Sequence, residues 1–257
     1  MDGSLDALIA RARSLIDDAD SITVLTGAGI STDSGIPDFR GPNGLWTKDP
    51  DAEKASNIQF YVRDPAVRRT NWARRAEGSL WANVEPNNGH RALVELENRN
   101  KLHALITQNV DELHQRAGSS PERVIEIHGT TRKVGCLECD YCDDMEVVLD
   151  RVRAGEADPP CPQCGGILKS ATISFGQNLV AEDLQRAQQA AAACDLYLAV
   201  GTSLGVFPIN ETVKIAHHAG ARIVILNGEA TPFDSIADVV IHAGISQTLP
   251  MMVRAVV

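Results

Sequence analysis

The sequence predicts an α/β fold, a parallel sheet covered by helices on both faces, with a smaller metal-held module inserted in it. Three observations predict it. Short apolar, β-branched runs alternate with helical stretches along most of the chain. Those runs end again and again in glycine, asparagine, serine or threonine, the composition expected where an open α/β sheet contacts a ligand. Four of the six cysteines stand in two Cys-x-x-Cys pairs near the middle of the chain.

Residues 5–16 place Leu5, Leu8, Ile9, Ala12, Leu15 and Ile16 at helical spacing, and residues 21–25 read as a buried strand. Then comes a loop punctuated by Gly27, Gly29, Gly35, Pro37 and Gly41. Lacking Cβ atoms, Gly27 and Gly29 let backbone approach a phosphate, and the amides of a following helix start would point at it. The third glycine of the usual dinucleotide fingerprint is replaced by Thr32. Asp38, Phe39 and Arg40 add a carboxylate, a ring and a guanidinium to the loop.

Residues 42–81 change character. Trp46, Phe60, Tyr61, Trp72 and Trp81 supply five of the eleven aromatics among arginine-rich stretches without strand signal, so a small helical module is expected. A helix follows over residues 88–97, with Asn88 as its candidate cap. Residues 103–107 and 124–127 read as strands, the first ending in Gln108-Asn109-Val110-Asp111 and the second in His128-Gly129. An imidazole at a strand end can reach a ligand. His90, His103, His114, His217, His218 and His242 lack that support.

Cys136-x-x-Cys139 and Cys161-x-x-Cys164 flank 21 residues, and that spacing reads as zinc: two thiolate knuckles close a tetrahedron and leave no open position, so the ion is structural. Cys142 offers a competing Cys139-x-x-Cys142 pair. Cys136 is preferred because it leaves two symmetric knuckles. Cys194, after an alanine-rich helix over residues 181–193, reads as a small buried hydrophobe. Strands are then expected over residues 172–175, 196–200, 223–226 and 239–241. The last three lead into Gly201-Thr202-Ser203, Asn227-Gly228-Glu229 and His242-Ala243-Gly244.

The chain's 257 residues allow a large domain with a smaller insert, and its net charge of −10 argues against nucleic acid and anionic lipid as partners. No apolar run suits a membrane span and no signal-peptide layout opens the chain, so a cytoplasmic location is expected. A zinc-ribbon module bound to nucleic acid would need a basic stripe, and none is evident.

Taken together, Gly27-Ala28-Gly29-Ile30-Ser31, Gly35-Ile36-Pro37-Asp38-Phe39-Arg40, Gly44-Leu45-Trp46, Gln108-Asn109-Val110-Asp111 with Leu113-His114, His128-Gly129, the cysteine knuckles, Phe175-Gly176, Gly201-Thr202-Ser203-Leu204 and Asn227-Gly228-Glu229 resemble the sirtuin family of NAD-dependent protein lysine deacylases. The resemblance runs nearly end to end. It implies a Rossmann-like NAD-binding domain over residues 1–41, 83–128 and 171–257. The small lobe would consist of a helical module over 42–82 and a zinc-ribbon module over 129–170. It also implies an acyl-lysine peptide or protein as substrate, with acyl transfer from lysine to ADP-ribose and release of nicotinamide. NAD-dependent protein mono-ADP-ribosyl transfer is the alternative use of the same cofactor.

By resemblance, Gly27, Ala28, Gly29, Ser31, Ile36, Asp38, Phe39, Arg40 and Trp46 would border the cofactor, and Gln108, Asn109 and Asp111 would lie at the nicotinamide pocket. Gly201, Thr202, Ser203, Asn227, Gly228, Glu229 and Ile245 would hold the adenosine half. His128 would be the general base, with Asn109 as second catalytic residue, and Cys136, Cys139, Cys161 and Cys164 would hold one structural zinc. Two departures concern the substrate. Gln177 replaces the family's acidic residue after Phe-Gly, and Ser170 or Ala171 stands where a proline is usual, so peptide preference differs more than chemistry. Members that favour succinyl or malonyl groups carry Tyr-x-x-Arg, against Asn71-Trp72-Ala73-Arg74 here, so neutral acyl groups are expected, acetyl first.

Overall fold

The computed structural model describes residues 3–38, 44–48, 56–78 and 84–254. They fall into two units: Met1–Asp38, Glu85–Ile127 and Val180–Val257 in the first, Phe39–Val84 and His128–Leu179 in the second. Phe39 and Arg40 lie outside the described residues, as does Trp81.

In the first unit the apolar runs become strands β1 (Ile22–Thr26), β2 (Leu102–Thr107) and β3 (Val124–Glu126). Later in the chain come β7 (Leu196–Val200), β8 (Arg222–Leu226) and β9 (Val239–Ile241). All neighbours pair in parallel, in the order β3-β2-β1-β7-β8-β9. Every residue of β1 and β7 is buried, as a sheet covered on both faces requires. One cover is α1 (Leu5–Asp18), α5 (Asn88–Asn98) and α10 (Ile245–Val253), which pack on one another; the other is α8 (Ala181–Ala193) with α9 (Glu211–His218). Ile9, Ile16, Leu93, Leu96, Leu249 and Met252 join Val24, Leu105, Leu198 and Val224 in one continuous apolar core. The cap of α5 is Asn87, one residue before the candidate Asn88: its side chain accepts from Gly89 N–H at 2.8 Å, and His90 Nδ1 accepts from Asn87 N–H at 3.3 Å.

The second unit carries a three-stranded antiparallel sheet, β5-β4-β6, made of β4 (Gly129–Cys136), β5 (Cys142–Asp144) and β6 (Leu168–Thr172). The strand expected over 172–175 therefore ends where it was to begin. Pairing of β6 with β4 stops at Gly129↔Thr172, and beyond it only Phe175 makes a single bridge, to Asn57. β-branched and aromatic side chains there have no ladder to join. Gly129 is obligatory at that turn: its φ is +72°, and a Cβ would sit 2.0 Å from the Ala171 carbonyl oxygen.

Helices α2 (Leu45–Lys48), α3 (Ile58–Arg63), α4 (Pro65–Ala76) and α7 (Met145–Arg153) complete the unit. Asp64 caps α4 by accepting from Ala66 N–H at 2.8 Å, and Pro65 fills its first turn. Trp72 from α4 packs with Val134, Met145, Val148, Leu149, Cys161 and Leu168. Tyr61 donates to the Leu168 carbonyl at 2.8 Å, and Arg68 forks onto Asp158 at 2.8 to 3.1 Å. These contacts tie the helical segment to the cysteine-bearing one.

Candidate active site

Strand order reverses between β1 and β7: β2 and β3 lie on one side of the pair, β8 and β9 on the other. Such a switch point opens a crevice beyond the carboxyl ends of the strands. The loop after β1 enters it as two short 3₁₀ turns, Ala28–Ile30 and Thr32–Ser34, in place of the expected helix start. Its glycines meet a demand from a loop distant in sequence. A Cβ on Gly27 would lie 2.7 Å from Gly201 O, one on Gly29 would lie 2.8 Å from Gly201 Cα, and one on Gly201 would lie 2.4 Å from Ile30 N. The loops after β1 and β7 thus interlock through backbone that no side chain can separate. Gly201 adopts φ +61°, and the tip of Ile245 packs against it.

Beneath this interlock lies a polar cluster. Asn109, buried just after β2, donates from Nδ2 to Gly27 O at 3.1 Å and to Ser31 Oγ at 3.2 Å. Ser31 Oγ donates to Asp111 Oδ2 at 2.7 Å and meets His90 Nε2 at 3.4 Å. Because His90 Nδ1 accepts from the Asn87 amide, its Nε2 carries the proton. Asn87 also donates to Ile30 O at 2.8 Å and to Ser34 Oγ at 2.9 Å, which fixes the far side of the loop. Gln108 Nε2 donates to Thr202 Oγ1 at 2.9 Å, linking the β2 and β7 ends. Burial raises the Asp111 carboxyl above its ordinary range against the hydrogen bonds from Leu113 and Ser31, and it lowers His90 to about 4.

The structure thus brings Gly27, Gly29, Ser31, Gln108, Asn109, Asp111, Gly201 and Thr202 together. Ala28, Ile36 and Asp38 lie on the same β1 loop, with Ile36 buried. Ser203 follows β7, and Asn227, Gly228 and Glu229 follow β8; Ser203, Gly228 and Glu229 are exposed and Gly228 faces open space. Asn227 Nδ2 donates to Glu229 O at 2.8 Å, which shapes that turn. His128 and Trp46 belong to the second unit, where the His128 carbonyl accepts from Ile173 N–H at 2.8 Å and Trp46 lies in α2.

Sequence reasoning passed over His90, His114, Thr26 and Thr107. His114 is buried in α6 (Leu113–Ala117), its ring centroid 5.0 Å from that of His90 and edge-on to it. The available signal was position: Thr26 and Thr107 are the last residues of adjacent strands at the switch point.

In the second unit, the Sγ atoms of Cys136, Cys139, Cys161 and Cys164 all lie within 4.8 Å of one another. Cys136–Cys164 is 3.5 Å and Cys139–Cys161 is 3.6 Å. Zinc–sulfur bonds of about 2.3 Å set tetrahedral edges of about 3.8 Å, so the thiols are already arranged for one ion. Cys142, exposed on β5, is outside this set.

Residues 27–208 match the model of the Sir2 family. The chain is 47% identical over 233 residues to NAD-dependent protein deacetylase 2 of Streptomyces coelicolor, covering 91% of this chain and 96% of that one. It is 42% identical to NAD-dependent protein deacetylase 1 of Bradyrhizobium diazoefficiens, with 94% and 93% covered. A solved structure described for the mechanism and regulation of Sir2 enzymes superposes with a TM-score of 0.84 at 39% identity, covering 95% of this chain and 96% of that chain. A Sir2 enzyme bound to a propionylated peptide gives 0.81 at 31% identity, covering 94% and 95%.

Proposed function

The chain belongs to the Sir2 family, and from that premise we propose that it is an NAD-dependent protein lysine deacetylase, moving the acyl group from lysine to ADP-ribose with release of nicotinamide. The observation that carries the reading is the Ser31–Asn109–Asp111 cluster beneath the interlocked loops at the switch point. It is a rigid, mostly buried set of amide and carboxyl groups suited to orienting a carboxamide and keeping water away.

The first unit would be the NAD-binding domain. The helical segment and the cysteine module would be the small lobe, with one structural zinc holding the latter's shape at the four thiols. Bound NAD supplies a glycosidic bond whose cleavage leaves an electrophilic ribose carbon for the acyl oxygen. Asn109 and Asp111, locked by Ser31, hold the nicotinamide end. Gly27 and Gly29, their amides bonded to the carbonyls of Val200 and Gly201, would border the cofactor, and Gly201, Thr202, Ser203, Asn227 and Glu229 would hold the adenosine half at the strand ends. Ala28, Ile36, Asp38, Phe39, Arg40, Trp46, Gly228 and Ile245 would border the same cofactor. His128 would take the ribose hydroxyl proton as general base.

The partner is an acyl-lysine peptide or protein. Asn71 occupies the first position of the family's acidic-acyl pair, and its Oδ1 already accepts from Arg75 Nε at 2.9 Å. That favours neutral acyl groups. The acidic balance disfavours nucleic acid as a partner. Among the described residues no helix is long and apolar enough to cross a membrane, and free thiols at a metal site suit the reducing cytoplasm proposed here. The test is an acyl panel: one lysine peptide carrying acetyl, butyryl, longer or succinyl groups, each with and without NAD. Acetyl removal that requires NAD, with succinyl the poorest substrate, is the expected result. Removal without NAD, or of none of the groups, overturns the proposal.

A further inference from the structure

Asn109 is anchored through its backbone as well as its side chain. Its backbone N–H donates to Thr107 Oγ1 at 3.1 Å. Thr107 Oγ1 also accepts from Thr26 Oγ1 at 2.9 Å, so the Thr26 proton is committed and its lone pair faces His114 Nε2, again at 2.9 Å. The imidazole must therefore donate from Nε2, which leaves Nδ1 as an unprotonated nitrogen. That Nδ1 is buried without a hydrogen-bond partner, a placement far less costly for a lone pair than for an imidazolium. Burial holds the His114 imidazole well below its ordinary range, and His90, edge-on at 5.0 Å, adds to the effect. Asp111 approaches from the other side through Ser31 and His90.

All four groups are withdrawn from water: Thr26, Thr107, Asn109 and His114 are at most 8% exposed. Valine at the two strand ends and leucine in α6 would fill these positions without burying polar atoms, so three polar side chains in series call for a reason. We propose that His114 is a positioning residue which, through Thr26 and Thr107, fixes the backbone at Asn109 and so aims the amide that receives nicotinamide. The inference rests on the role given to Asn109 above and extends it to residues that touch no ligand.

The test compares His114→Leu, which keeps bulk, with His114→Gln, which returns an N–H donor near the Nε2 position, and with Thr107→Val, which keeps shape and removes the acceptor. In the unmodified protein, ring nitrogen signals should show the Nε2–H tautomer unchanged from about pH 5.5 to 8.5. Loss of the Thr26–His114 hydrogen bond predicts NAD binding weakened about fivefold to tenfold by calorimetry in the Leu variant, and loss of both hydrogen bonds to Thr107 Oγ1 predicts at least that in the Val variant. Hydrogen exchange at the Asn109 amide should accelerate in both, KM for the acyl peptide should hold steady, and the Gln variant should recover most of the NAD affinity. Should His114→Leu not fold, Thr107→Val carries the same readouts. Equal NAD affinity in all variants, equal weakening in Leu and Gln, or an Nδ1–H tautomer overturns the proposal. A wild-type protein that binds no NAD overturns the functional reading instead, while tautomer and amide exchange still report on the relay.

Discussion

In the first unit, β1 and β7 are buried from end to end, and α1, α5 and α10 complete a core running from Ile9 to Val253. In the second, a three-stranded sheet and seven buried residues centred on Trp72 do the same duty, helped by the Arg68–Asp158 pair and four clustered thiols. The large core tolerates buried polar groups because its apolar burial offsets their desolvation, so the polar cluster of Ser31, His90, Asn109 and His114 can sit inside it. The small core buries Arg68, Lys169 and Ser170 with far less apolar surface around them and relies on cross-links. Stability that depends on metal and stability that depends on packing should therefore fail separately.

The largest effect should come from the metal. Structural zinc contributes on the order of 10 kcal/mol to folding of small modules, so chelation or Cys161→Ser should open β4–β6 to hydrogen exchange while β1, β7 and β8 stay protected. Equal loss of protection in both units would erase the contrast. Next is the interlock. Gly201→Ala adds a Cβ 2.4 Å from Ile30 N at φ +61°, so the melting temperature of the first unit should fall by more than the roughly 1–3 kcal/mol of backbone strain alone would produce. Thermal melts showing an unchanged first unit would mean that the loops separate easily.

His128→Ala should lower turnover by about 10²-fold while leaving NAD affinity near normal, because the proposed role is to take a proton and not to hold the cofactor. A matching fall in NAD binding would place His128 among the holding residues. Acidification is the smallest lever. His90 is held at about 4, below its unfolded value of about 6.5, so the unfolded chain binds more protons between those limits. Stability of the first unit should fall as pH drops from about 6.5 toward 4, and His90→Gln should reduce that slope in urea titrations, leaving the part due to His114. An unchanged slope would remove His90 as its source.

The zinc ligands were legible because Cys-x-x-Cys geometry is local: the knuckle that positions two thiols is built from the residues between them. The parallel sheet was legible for a related reason, as burial on both faces writes continuous apolar runs into β1, β7 and β8. What escaped depends on contacts distant in sequence. The reason for Gly27 and Gly29 lies at Gly201, and the reason for Thr26 and His114 lies in a chain of hydroxyls across two strands. Residues 172–175 have strand composition, yet Thr172 is the last residue with a partner on β4. Asn87 and Asn88 are indistinguishable as caps until the side chain shows which one accepts from Gly89.

The central claim is that this chain couples nicotinamide release to lysine deacylation, with the Ser31–Asn109–Asp111 cluster of the first unit holding the nicotinamide end. It is tested most directly by quantifying, from one incubation of zinc-loaded protein with NAD and an acetyl-lysine peptide, free nicotinamide, deacetylated peptide and O-acetyl-ADP-ribose. The account predicts that the three rise in equal amounts. Nicotinamide released with no deacetylated peptide, or peptide deacetylated with no nicotinamide, would contradict it.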